Sequence, residues 1–475
     1  MDTVRAFGTL ASAGILGQVI GFVALAYVAR VAGPTRLGAY TIDVALAGYA
    51  GLLANFGVTY LATRDVSRDP SSGTRVLAES SVIVMLGCCL AYAALAVGVR
   101  ATLSPQERML LPIVALSLFF NNLTPDWFLI ALRRSSPVAA ARLLGQIAYA
   151  LLLVGIGGAS SGIVRTYAWA NVAGLLITAL PLAWLAVSWQ LRAQAVPTAD
   201  PDGRPLRTRW RRSLSFGYFL AMLQLYASIA IPLLGAIAGQ RAAGLYGVAL
   251  RLPFALTTLA TVWLTAFFPA GSAKAHADRA GYRADLGRVI SVTLVLAGAV
   301  AVGASISAQK LIPLMFGPSY SAAALSFTLL AVAAGLVCVQ ASTSNALLAL
   351  GAERLYGVVV TAVAICLIGI DVPLISIFGE AGAAGGAVIA EVAVVASTGL
   401  LVRRRLGGLR LRRRAIVLGY GCITIMAAAG VVARAPRIRQ WWRLERWPER
   451  SPLPSSCFAR GELCECLQAL PCVRA

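Results

Sequence analysis

Charge is scarce in this chain. Of its 475 residues only 13% are Asp, Glu, Lys or Arg, against 59% hydrophobic residues and a mean hydropathy of +0.78. So little polar residue cannot cover a globule of this size in water, and a soluble fold is excluded. Lysine occurs only at Lys274 and Lys310. Neither belongs to a G-x-x-x-x-G-K-[ST] phosphate loop, so the chain lacks the nucleotide cradle of an ATPase. The one histidine, His276, has no second ligand at metal-site spacing, and no metal or other cofactor is expected. Asp200-Pro201-Asp202 matches a short acidic metal-binding pattern, but it stands in a Pro-rich linker and is read as linker.

Long apolar runs fill the space that charge leaves. They fall at 7–29, 38–62, 77–99, 109–132, 136–157, 165–188, 214–238, 245–271, 289–308, 321–350, 355–378, 381–402 and 415–433. Each is near the roughly 20 residues that a helix needs to cross about 30 Å of hydrocarbon. The alternation of barrel strands is missing, which leaves helices to satisfy the backbone in lipid. The first run is too long for a cleavable signal peptide and is followed at once by a second. The expected fold is an all-α integral membrane protein of about 13 transmembrane helices.

Charge placement orients the chain. With the N-terminus inside, the inner connections hold clusters such as Arg64 and Arg68, Arg209 to Arg212, and Arg403, Arg404 and Arg405. The outer connections hold only Arg30, Arg36, Arg100, Arg108, Arg165, Arg241 and Lys310. This asymmetry follows the positive-inside rule for a cytoplasmic N-terminus in a bacterial cytoplasmic membrane. The net charge of +22 is therefore chiefly a topology signal. Arginines scattered over many loops make no nucleic-acid patch, and no nucleic-acid partner is expected.

One pattern occurs twice. Gly33, Gly38 and Tyr40 recur as Gly239, Gly244 and Tyr246, each residue displaced by 206, and Gln18 falls on Gln224 at the same offset. Six spans separate the copies, so both have the same membrane orientation, as in parallel repeats about an axis along the membrane normal. The glycines are expected to form tight outer helix-turn-helix connections. Two six-helix lobes around a central cleft follow, at 1–189 and 214–402, joined by a cytoplasmic linker at 190–213. A basic inner loop and additional helix occupy 403–433, and an atypical tail occupies 434–475.

The run Ala29-Arg30-Val31-Ala32-Gly33-Pro34, with Gly38 and Tyr40, then Asn55-Phe56-Gly57 and Thr63-Arg64-Asp65-Val66-Ser67-Arg68, resembles the N-terminal signature of bacterial polysaccharide flippases. That family belongs to the multidrug/oligosaccharidyl-lipid/polysaccharide exporter superfamily. Pro125-Asp126-Trp127-Phe128 resembles a further element of its fourth span, while Asn55 and Ala131 depart from the usual residues. The resemblance implies a transporter rather than an enzyme, with a polyprenyl-linked oligosaccharide as its substrate, membrane lipid around it, and a polysaccharide polymerase as a possible partner. An ion-coupled multidrug exporter of the same superfamily is the alternative. A membrane polysaccharide polymerase or ligase would be expected to carry a large outer loop, which this chain lacks. With both lobes in one chain, a monomer is expected.

Few ionisable residues interrupt the spans. A polar glycan and diphosphate need cations and hydrogen-bonding groups in a cleft, and Arg suits phosphate through its planar fork of donors. Arg251 and Asp43 lie at similar depth on equivalent helices, either facing each other across the cleft as an outer gate and phosphate site, or buried as an ion pair. Gln18 and Gln224 are candidates for sugar contact or for interhelical hydrogen bonds. Arg30 is a cleft candidate through the signature and otherwise an interfacial anchor. Asp126 and Arg142 are candidates for gating or for a structural ion pair. Glu391, in mid-span, is a candidate for ion coupling or for a hydrogen bond within the bundle.

The tail from Arg434 carries eight arginines and four of the nine cysteines on the side expected outside, against the charge rule. Its composition points to a frameshift near Ala433 that replaced a fourteenth span. A disulfide pair or metal site among Cys457, Cys464, Cys466 and Cys472 is the other reading. The remaining cysteines read as packing residues.

Overall fold

The computed structural model describes residues 2–102, 107–156, 162–193 and 206–408, with Gly421. The expected tail at 434–475, and all of the expected helix at 415–433 except Gly421, lie outside the described residues. The first lobe contains α1 (Asp2–Asn55), α2 (Val58–Arg68), α3 (Gly73–Thr102), α4 (Glu107–Leu123), α5 (Asp126–Ala131), α6 (Ser135–Ile156) and α7 (Ile163–Ala193). The second contains α8 (Leu206–Ser228), α9 (Ala230–Ile237), α10 (Gly239–Ala277), α11 (Arg279–Phe316), α12 (Ala324–Ala349), α13 (Glu353–Phe378) and α14 (Glu380–Leu406). Both ends of the expected linker are helical, since α7 runs to Ala193 and α8 starts at Leu206.

Among the described residues, nine helical segments are long and apolar enough to cross a membrane, or ten if the bent pair α8 and α9 forms one span. The sequence predicts thirteen, one of them outside the described residues save Gly421. The runs at 7–29 and 38–62 share α1 and α2, and the run at 245–271 lies along α10. Large apolar side chains such as Leu90, Val154, Ile306 and Ile377 point outward, each more than two-thirds exposed. Only lipid covers such a surface without cost, and the chain is a multi-pass membrane protein.

In the first lobe α1 packs against α3, α4, α6 and α7; in the second α10 packs against α12, α14 and α9. The two organising helices also pack against each other. Gly33, at φ 75° and ψ 170°, breaks α1 in a conformation that a side chain would strain, and Pro34 restarts the helix. Gly239, at φ 83°, does the same at the start of α10.

The second glycine of each motif has a different task. A Cβ on Gly38 would run into the Gln240 carbonyl, and one on Gly244 into the Pro34 carbonyl. These two contacts interconvert under the 206-residue offset. Gly247 lies against Thr41, its equivalent at that offset. The sequence repeat is therefore a spatial pseudo-twofold whose axis passes between α1 and α10. Lipid offers no hydrophobic drive for helix association, and close backbone approach over small residues supplies it.

The Asn55-Phe56-Gly57 run is a second break. Asn55 Oδ1 accepts from the Thr59 backbone N–H at 3.2 Å and from its hydroxyl at 3.1 Å, which tethers the start of α2. Asn55 Nδ2 donates to Asn122 Oδ1 on α4 at 3.3 Å. Phe56, at φ 35°, and Gly57, at φ 81°, reverse the local backbone, and Phe56 seats against Gly217 of α8 in the other lobe.

Arg30 makes a third contact between lobes. Its Nε donates to the Met315 carbonyl at 2.9 Å and its Nη2 to the Leu314 carbonyl. Both carbonyls belong to the last turn of α11, where the helix leaves acceptors unpaired and concentrates partial negative charge. Arg30 thus ties α1 to the end of α11.

Gly244→Leu should disrupt the α1–α10 crossing, because backbone on both sides cannot yield, and overpacking of this kind costs roughly 1–3 kcal/mol or more. We expect a clear loss of thermal stability in detergent for Gly244→Leu and little change for Gly303→Leu, where an added Cβ meets open space. Equal melting temperatures for the two variants would rule out the crossing as a stability determinant.

Candidate functional site

Below the crossing the helices diverge around a cavity of about 900 Å³. Its walls come from α1, α4, α5, α6 and α7, closed on the other side by Gln224 of α8 and by Arg251, Phe254 and Ala255 of α10. Glycines make the room on the α1 side: Gly14, Gly17, Gly21, Gly48 and Gly51 all line it. A second pocket of about 370 Å³ shares Leu52, Asn122 and Gln224 with the first and extends toward α2 and α8.

Arg251, exposed on the α10 wall, makes no ion pair or hydrogen bond among the described residues. It lies near a tyrosine cluster in which Tyr40 and Tyr167 meet edge to face at 4.7 Å and Tyr149 and Tyr167 at 5.7 Å. Arg251 and Asp43 are both close enough to Tyr40 for their charges to act on its hydroxyl. Asp43 is itself buried at 2% exposure and is not part of the cavity wall, so it does not face Arg251 across the cavity.

Asp126 and Arg142 form an ion pair on the wall, with Asp126 at the first turn of α5 and Arg142 on α6. Among the described residues Asp126 is the only carboxylate lining the cavity, and it is neutralised there. Gln18 and Gln224, equivalent in the repeat, both line the cavity from opposite lobes. Gln224 Nε2 donates to the Ser228 hydroxyl at 2.9 Å, which lies 3.1 Å from that of Tyr49 on α1, so this glutamine also helps to tie the lobes. Arg30 is absent from the wall because its guanidinium is engaged at the end of α11.

The second lobe holds two buried carboxylates away from this cavity. Glu391 on α14 is 6% exposed, lies beside Tyr226 of α8, and has an Oε2 with no hydrogen-bond partner among the described residues. Asp371 on α13 is 1% exposed and neither carboxylate oxygen has a hydrogen-bond partner among the described residues. It packs on Gly386 of α14 and lies near Tyr246, the repeat equivalent of Tyr40. Asp371 is an acidic residue within the apolar run at 355–378, which is the signal in the sequence that marks it. Among the described residues no three metal-ligating side chains cluster.

The structure resembles known transporters. It matches the lipid II flippase MurJ in an inward closed conformation with a TM-score of 0.65 and 13% identity, covering 90% of this chain and 93% of that one. It matches an inward-facing multidrug resistance MATE family transporter of the MOP superfamily with a TM-score of 0.58 and 16% identity, covering 86% and 95%. A MATE structure in complex with MaL6 gives 0.56 and 19%, covering 85% and 96%. At such identities the likeness is one of fold. No curated protein matches the sequence. The family model for polysaccharide biosynthesis proteins matches residues 3–273, more than half of the chain. With the two-lobed helical fold around its cleft, that match makes the chain a member of the polysaccharide biosynthesis protein family.

Proposed function

We propose that the protein is a flippase that carries a polyprenyl-diphosphate-linked oligosaccharide from the inner to the outer leaflet of a bacterial cytoplasmic membrane for cell-surface polysaccharide synthesis. The observation that carries this reading is Arg251, an arginine without an ionic partner among the described residues, on a wall whose one carboxylate is neutralised by Arg142. Such a cavity favours an anionic head group, and a guanidinium fork fits phosphate oxygens. A glycan diphosphate cannot cross hydrocarbon unaided, whereas a two-lobed bundle can rock about its crossing and pass the head group while the lipid tail stays in the bilayer. One of the structures with this fold is a lipid II flippase, which agrees with this reading.

The tyrosines Tyr40, Tyr149 and Tyr167 give some support to the second reading, an ion-coupled multidrug exporter, since aromatic faces suit flat cations. A free carboxylate to hold such a cation is missing from the wall among the described residues. In the proposed arrangement the N-terminus is cytoplasmic, the Gly33 and Gly239 breaks face outward, the protein acts as a monomer, and a polysaccharide polymerase receives the product. Lobe boundaries at 1–189 and 214–402 follow from the same reading.

Coupling to an ion gradient is proposed to use Glu391 together with Asp371. Both oxygens of Asp371 and one oxygen of Glu391 lack a hydrogen-bond partner among the described residues, and a carboxylate buried in that way in a membrane bundle is costly until a proton or cation offsets its charge. Asp126 and Arg142 are assigned to gating, as a pair whose separation would open the wall between α5 and α6.

Arg251→Ala should lower flipping by about tenfold to a hundredfold, the range for a lost charge-assisted hydrogen bond. The check is accumulation of polyprenyl-linked saccharide on the cytoplasmic side of cells that hold this variant, at normal protein level, as their only copy. Unchanged carrier lipid together with new sensitivity to cationic drugs in the deletion strain would establish the exporter instead.

Asp371→Asn and Glu391→Gln keep shape and remove charge. Transport in proteoliposomes should then lose its response to an imposed sodium or proton gradient, while substrate binding in detergent stays within about threefold of wild type, roughly 0.65 kcal/mol. A preserved response in both variants would remove the carboxylates from the coupling mechanism.

A further inference from the structure

Four amide side chains on the cavity wall have no hydrogen-bond partner in the protein among the described residues: Gln18 on α1, Asn121 on α4, Gln146 on α6 and Asn171 on α7. They come from four different helices and converge on one space. Amides inside a membrane span are costly when unpaired, and two other amides on this wall are engaged, Asn122 with Asn55 and Gln224 with Ser228. Left unpaired in a polar, roomy cavity, they need water or a ligand rich in hydroxyl groups.

The kind of group they suit can be narrowed. An amide offers donors and acceptors side by side, as a hydroxyl does, whereas a carboxylate only accepts. Four amides therefore match vicinal hydroxyls with neither side left unpaired. A carboxylate would leave the amide oxygens facing its own, with no cation at hand to offset it, because Arg142 is paired with Asp126. Arg251 is the one wall cation without an ionic partner among the described residues.

We infer that the transported glycan is uncharged, its hydroxyls held by Gln18, Asn121, Gln146 and Asn171, and that the anionic part of the substrate is confined to the phosphate group at Arg251. This rests on the flippase reading above and adds a substrate class to it. A second negative charge on the glycan would enter a space lined by amides, hydroxyls and an already paired arginine, with the like-charged phosphate nearby, which disfavours it by on the order of tenfold at separations of about 10 Å.

The test uses two synthetic polyprenyl-diphosphate trisaccharides that differ at one carbon, a hexose CH₂OH in one and a uronate carboxylate in the other. Binding to the full-length purified protein is measured by tryptophan fluorescence, and flipping in proteoliposomes by accessibility to an impermeant oxidant. The neutral form should bind and move about tenfold better. Equal or better performance of the uronate form would overturn the inference while leaving the flippase reading in place. If neither glycolipid binds and a cationic dye does, the flippase reading itself fails. Gln146→Arg should raise the ratio of uronate to neutral binding by about tenfold. An unchanged ratio in a variant that still binds either glycolipid would also overturn the inference.

Discussion

The contact of α1 with α10 at backbone distance is the constraint on which the rest of the architecture depends. Gly38 lies on the carbonyl of Gln240 and Gly244 on that of Pro34, so neither position has room for even one carbon. In lipid, where apolar side chains gain nothing by leaving one another's company, such a crossing is what can hold two bundles together while leaving most of their facing surfaces free. The breaks at Gly33 and Gly239 turn the chain back next to it. From that point the helices spread, and the cavity occupies the space between them.

The scaffold is symmetric, yet its chemistry is not. Repeat-related residues build the crossing, and Gln18 and Gln224 still face the same cavity from opposite lobes. Most of the cavity wall, however, comes from the first lobe, with its glycines, amides and neutralised ion pair. The second lobe contributes Arg251 to the wall and keeps two carboxylates buried behind it, at Asp371 and Glu391. An internal duplication can preserve a crossing while its halves diverge, because the crossing needs equal backbones and the cavity does not need equal side chains.

Local rules explain much of the signature region. Gly33 and Pro34 form a break and restart, and Asn55-Phe56-Gly57 forms a tether, a reversal and an inter-lobe wedge within three residues. Arg30 belongs to the same signature but acts at long range, at the carbonyl end of a helix nearly 300 residues away in the chain. The sequence contained the right residue and no indication of its partner.

Hydrophobic run length determined the class of protein, an all-helical membrane fold, because a membrane imposes one period and one length on any chain that crosses it. The offset of 206 likewise identified which positions are equivalent. Tertiary structure alone decided which equivalents touch. It separated Gly33 and Gly239 as breaks from Gly38 and Gly244 as contacts, moved Arg30 out of the cleft, kept Asp43 off the cavity wall, and left four amides unpaired around one space. The physical reason is that one-dimensional pattern records how far a residue lies along its helix, whereas partnership depends on the rotation of that helix about its axis and on which neighbour packs there.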